Sequence, residues 1–349
     1  MNTFTKRLDA LSKLSSYERP PAHDGLRLDS NENLVIPKPI QEKITSRINS
    51  DIRLYPLDGP ERLIHSISRL VGISTDQISV GNGSDQILDM VLSRLAGSKI
   101  LVSDPTFSFF VDRCNLYDIR LERIRCRNDM SPDMDTIIRR APSVDMIYLD
   151  SPNNPTGYQI PRADLRKLVE SCDTPIMLDE AYADFGGFSA MDMVYNTSQL
   201  MVMRTLSKSF GLAGLRVGYM VASAPITKVF DRVIQYPYPL SVLSVDCAIQ
   251  ALQLYNDIST SWDIIKEERR RIIQTLRGFG AFDVFDSNAN FVLFDAGGSY
   301  RRIHKALSEQ GIHIRMLGQM GDATGCLRVT VGTHKMNSQF LLAVRDLLK

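Results

Sequence analysis

The strongest constraint on this chain is a rhythm that begins near Ile40, where short apolar runs alternate with segments of helical period. Residues 77–80, 99–102, 145–149, 175–178, 199–203 and 217–222 read as strands. Helical patterns separate several of them, among them 85–95 and 162–171, the latter with Pro161 at its start. Such alternation predicts a mostly parallel sheet covered by helices on both faces. In sheets of that kind ligands bind beyond the carboxyl ends of the strands. Five polar or glycine-rich segments fall there: Gly81-Asn-Gly-Ser-Asp85, Asp104-Pro-Thr-Phe107, Asp150-Ser-Pro-Asn-Asn-Pro-Thr-Gly157, Asp179-Glu-Ala-Tyr182, and the stretch around Lys208.

A chain of 349 residues is long enough for one large and one smaller domain. The expected division is an N-terminal arm over 1–37, a large α/β domain over 38–240, and an interdomain helix with a small α+β domain over 241–349. The last part rests on a long charged helical pattern at 262–277, short strands near 282–285, 290–294, 312–316 and 327–331, and helices near 300–310 and 339–348. A net charge of +1 provides no field for nucleic acid or an anionic membrane. The basic run 120–127 is interleaved with apolar residues and reads as a solvated face. Residues 1–16 lack an apolar core of signal-peptide length. Five scattered cysteines and five scattered histidines argue for a reducing, cytoplasmic setting and against a disulfide framework or a metal site.

Lys208 follows the apolar run 200–203 and lies among Thr205, Ser207 and Ser209, with Arg216 eight residues on. A lysine at the end of a buried strand is partly desolvated, which lowers its pKa and frees the amine to attack a carbonyl. Hydroxyls and a guanidinium nearby suit a phosphate monoester. The same residues also describe a basic surface turn.

The motifs taken together resolve that ambiguity. Leu28-Asp-Ser-Asn-Glu-Asn33, Tyr55-Pro56, Gly81–Asp85, Pro105-Thr-Phe107, Asn154-Pro-Thr-Gly157, Asp179-Glu-Ala-Tyr182, Ser207-Lys208 with Arg216, and Leu327-Arg-Val-Thr-Val-Gly332 occur in this order. In this the chain resembles the fold-type I pyridoxal-phosphate aminotransferases, and within them the histidinol-phosphate aminotransferases. The resemblance implies a large, mostly parallel seven-stranded α/β/α domain, a smaller α+β domain, and pyridoxal 5'-phosphate as cofactor. It implies that Lys208 is the catalytic amine, with Asp179 at the ring nitrogen and Asn154 and Tyr182 at the phenolic oxygen. Gly83, Ser84, Asp85, Thr205, Ser207 and Arg216 would hold the cofactor phosphate, and Phe107 would stack on the ring. A homodimer is implied as well, with Tyr55 reaching the partner's site.

On the substrate side the resemblance points to Arg315 and Arg328 for an anionic group and to Tyr17 and Asn31 as a cover. The implied reaction moves the amino group of L-histidinol phosphate to 2-oxoglutarate in L-histidine biosynthesis. An aromatic aminotransferase, a phosphothreonine decarboxylase and, from another class, a cofactor-binding regulator are the alternatives. Four departures from the pattern lie nearer the substrate and the surface: the delayed Pro37, Gln86, Phe110 and His334-Lys335.

Overall fold

The computed structural model describes residues 3–14, 24–46, 48 and 50–349. In chain order its strands are β1 (Leu26–Leu28), β2 (Ile78–Asn82), β3 (Lys99–Asp104), β4 (Arg120–Arg125), β5 (Met146–Asp150), β6 (Ile176–Asp179), β7 (Leu200–Thr205), β8 (Val217–Val221), β9 (Asp283–Val284), β10 (Phe291–Asp295), β11 (Ile312–Met320) and β12 (Ala323–Thr330).

Seven strands form the larger sheet in the order β2-β8-β7-β6-β5-β3-β4. Every pairing from β7 to β4 is parallel, and β8 alone runs antiparallel to both neighbours. The central strands β5, β6, β7 and β8 are buried at every position, as strands covered on both faces must be. All six apolar runs are strands. The seventh, β4, lies in the basic run and forms the sheet's edge, where exposed and half-buried residues mix. Several of its charges are paired, Arg123 with Asp104 and Glu122 with Lys99 and Arg140. Charged side chains on an edge strand discourage further pairing. Because β2, β3, β5, β6 and β7 point the same way, their carboxyl ends gather along one rim. There Asp150 and Asp179 stand opposite each other in register.

The smaller sheet has the order β1-β11-β12-β10-β9. Segment Leu26–Leu28 joins it by parallel pairing with β11, which ties the N-terminal part of the chain to its C-terminal part. The helix Tyr255–Gly278 buries Ile258, Trp262, Ile265, Ile272 and Leu276 along one stripe. Trp262 donates from Nε1 to the Ser209 carbonyl at 2.8 Å, and Asn33 Nδ2 reaches the same oxygen at 2.9 Å. The turn after Lys208 is thus anchored from two distant parts of the chain. One apolar cluster runs from Leu149 and Val202 in the large sheet to Phe291 and Val329 in the small one.

Candidate active site

A cavity of about 540 Å³ opens at the rim of the large sheet and is closed on the far side by the small one. Lys208 enters from the turn after β7, with Nζ donating to the Ser30 carbonyl at 3.0 Å and lying 5.8 Å from the centre of the Tyr182 ring. Asp179, at the end of β6, is buried. Its Oδ1 accepts the Ala181 N–H at 3.0 Å and its Oδ2 the Tyr148 hydroxyl at 3.2 Å. Burial pushes its carboxyl up to about 6, against the pull of those hydrogen bonds. Tyr182 is also buried, which raises its phenol to about 12, and its oxygen accepts from Asn31 Nδ2 at 3.0 Å.

The opposite end of the cavity is a ready-made anion cradle. The helix Gly83–Arg94 begins there and presents Ser84 and Asp85 to the cavity. Gly83 has φ 75°, and a Cβ on it would fall 2.6 Å from Arg216 Nη2. A Cβ on Gly218 would fall 2.3 Å from the Ser84 backbone nitrogen, so β8 runs directly behind the helix start. Arg216 donates to Ser207 Oγ at 3.3 Å and to Asp85 Oδ2 at 2.6 Å. Thr205 lines the cavity, but its hydroxyl is engaged in the turn: it donates to the Val217 carbonyl and accepts the Ser207 N–H.

Arg315 and Arg328, thirteen residues apart, are direct partners across the β11–β12 pair, and both line the cavity. Arg328 donates to Asn154 Oδ1 and, at 3.0 Å, to the Asp29 carbonyl, with its guanidinium 5.1 Å from the Phe291 ring. Asn31, at φ 55°, is held by Thr330 and by Asn290 Nδ2 on its carbonyl. Phe107 lines the wall ahead of the helix Ser108–Leu116. Tyr55 lies away from the cavity, 71% exposed and stacked on Tyr238 at 4.5 Å. Tyr17 lies outside the described residues.

Comparisons with known proteins bear on the family and the fold. Residues 23–344 match the family model described as "Aminotransferase class I and II". The chain belongs to that aminotransferase family. It is 30% identical over 351 residues to the histidinol-phosphate aminotransferase of Desulfitobacterium hafniense strain Y51, covering 97% of this chain and 96% of the relative. Among solved structures, the histidinol-phosphate aminotransferase of Clostridium acetobutylicum superimposes with a TM-score of 0.83 at 27% identity, covering 92% of this chain and 98% of that one. That of Sinorhizobium meliloti, solved with pyridoxal-5'-phosphate, gives 0.85 at 24% identity over 93% and 90%.

The cofactor of this aminotransferase is pyridoxal 5'-phosphate. The residues present fit it. A lysine amine, a buried acid and a helix-start cradle, kept free of a Cβ by Gly83, share one cavity. The site also contains residues that sequence reasoning assigned no part. Tyr148, fully buried inside a hydrophobic strand, resembled core, yet it donates to Asp179. Phe110, a departure from the family pattern, stacks on Tyr148 with ring centroids 3.8 Å apart. Asp150 stands at a strand end like Asp179, and that position was the available signal. Gln86 and His334, two further departures, serve local structure: Gln86 Oε1 accepts the Asn82 N–H, and His334 meets Glu268 at 2.8 Å.

Proposed function

We propose that this aminotransferase moves the amino group of L-histidinol phosphate to 2-oxoglutarate, giving imidazole acetol phosphate and L-glutamate, a step of L-histidine biosynthesis. The observation that carries the reading is the Arg315–Arg328 pair on the small-sheet wall of a cavity that already has an anion cradle of its own around Arg216. Two anion-binding ends suit a phosphorylated cofactor and a phosphorylated or dicarboxylate substrate together. The names of the curated relatives support the same choice.

When bound, the cofactor supplies an aldehyde that exchanges amino groups and a pyridine ring that withdraws electrons. In our reading Lys208 Nζ holds the cofactor and then moves the proton at the substrate carbon. Asp179, desolvated against Tyr148, keeps the ring nitrogen protonated. The Asn154 carbonyl oxygen is occupied by Arg328, which leaves its Nδ2 as the atom that would donate to the phenolic oxygen. Tyr182 accepts from Asn31, and its own hydroxyl proton would serve the same oxygen. Ser84 and Asp85 offer backbone amides, and Ser207 and Arg216 side chains, to the phosphate, while Thr205 holds the turn that aims them. Phe107, on the cavity wall, would cover one face of the ring.

The chain works as a cytoplasmic homodimer in this reading. Support for the dimer comes from the exposed apolar side chains Ile52, Leu54, Tyr55, Leu57 and Tyr238, and in such a dimer Tyr55 would serve the partner's cofactor phosphate. Tyr17 and Asn31 belong to an arm over 1–37 that would cover the substrate, followed by domains over 38–240 and 241–349. A half-reaction panel tests the substrate. Holoenzyme without acceptor should lose its visible band with histidinol phosphate. Conversion by phenylalanine and not by histidinol phosphate refutes the assignment, and carbon dioxide released from phosphothreonine identifies a decarboxylase.

A further inference from the structure

The large-sheet rim carries a second buried carboxyl that the proposed mechanism does not use. Asp150 ends β5, directly opposite Asp179 in the parallel register, so both side chains leave the same face of the sheet into one cavity. It is 6% exposed and surrounded by donors. Oδ2 accepts the Asn154 N–H at 2.9 Å, and Oδ1 accepts from Asn153 Nδ2 at 2.7 Å and Thr106 Oγ1 at 3.2 Å. Asn154 in turn accepts from Arg328 through Oδ1. A single carboxylate therefore links the loop that follows β5 to the guanidinium on the small-sheet wall, with one residue between.

We propose that Asp150 is a positioning residue for the reaction: it fixes Asn154, and through it Arg328, and places a second negative charge beside Asp179 on the side of the cofactor ring. This deepens the aminotransferase reading and rests on it. Thr106, Asn153 and the Asn154 amide present only donors to Asp150, an environment that favours the carboxylate form. Burial opposes them and brings its carboxyl up to about 7, with Asp179 adding to the rise. The other titratable groups facing it are Tyr182 beyond β6, Tyr148 on its own strand and Cys126 beyond β4. Their pKa values are all raised chiefly by burial, as are those of Asp150 and Asp179.

The test compares holoenzyme with Asp150→Asn. The visible band of the lysine-bound cofactor is titrated with pH, the cofactor dissociation constant is measured by equilibrium dialysis, and KM for the anionic donor is separated from kcat. Loss of a nearby negative charge destabilises the protonated, cationic form of the chromophore, so the titration midpoint should fall by about one unit. KM should rise about tenfold or more as Arg328 loses its alignment. Thr106→Val, which removes one donor and discharges Asp150 at a given pH, should move the midpoint in the same direction by less. A wild-type midpoint and KM in Asp150→Asn overturn the role while leaving the aminotransferase reading intact. Should Asp150→Asn not fold, an unmoved midpoint in Thr106→Val overturns it equally. A wild type that never takes up cofactor at Lys208 overturns the aminotransferase reading, and this role with it.

Discussion

Asp179 offers a prediction whose sign reverses between the cofactor-free and the loaded protein. Its carboxyl rises from 3.8 to about 6 because burial removes water, with the charges of Asp85 and Glu180 adding to the rise. As pH climbs from about 4 to about 6 the unfolded chain ionises first and binds fewer protons than the native one, so stability falls through that window. Above it the full penalty stands. Two units at 1.36 kcal/mol each come to about 3 kcal/mol. Asp179→Asn preserves the shape and the bond from the Ala181 N–H while removing the charge. At about pH 8 the cofactor-free variant should therefore be more stable than the wild type by up to about 3 kcal/mol, and at about pH 4 the difference should vanish. With cofactor bound the order should invert, because the ionised acid then has a cationic ring nitrogen beside it. Urea unfolding of both proteins, with and without cofactor, at the two pH values measures all four differences. A cofactor-free variant no more stable than the wild type at high pH refutes the burial argument. A loaded variant that keeps wild-type cofactor affinity refutes the pairing with the ring.

Three further outcomes follow from other parts of the molecule. Lys208→Ala should end borohydride fixation of the cofactor and lower turnover by at least about 10²- to 10⁴-fold, while some cofactor binding persists by dialysis. Arg328→Ala should raise KM for anionic donors by roughly 30-fold, about 2 kcal/mol, with a smaller change for an uncharged amine, since it removes one partner of a buried charged contact. Gly83→Ala forces a Cβ into the Arg216 guanidinium at a φ that disfavours it. Cofactor affinity should drop about tenfold or more, read by equilibrium dialysis, with a stability loss on the order of 1–3 kcal/mol.

Six of the seven strands of the large sheet, and the polar turns that follow them, are legible in the sequence. Strands buried on both faces must be continuously apolar, so β5 to β8 were visible as runs, and the turns at their ends carried the polar residues in order. That pattern puts Asp179, Lys208 and the Gly83 turn at the sheet's rim, while the roles expected of them come from the resemblance carried by the ordered motifs. Tertiary structure decided what no local pattern encodes. An edge strand rich in arginine, β4, has no apolar run to announce it, and only its register with β3 identifies it. Tyr148 reads as core until a parallel neighbour brings Asp179 within hydrogen-bond reach, and Asp150 gains its place from the same register. The thirteen-residue interval between Arg315 and Arg328 becomes a facing pair only when β11 and β12 fold back on each other. Side-chain chemistry is written residue by residue, but which donor meets which acceptor depends on strand register. Register is set by burial across the whole sheet, and a single stretch of sequence does not contain it.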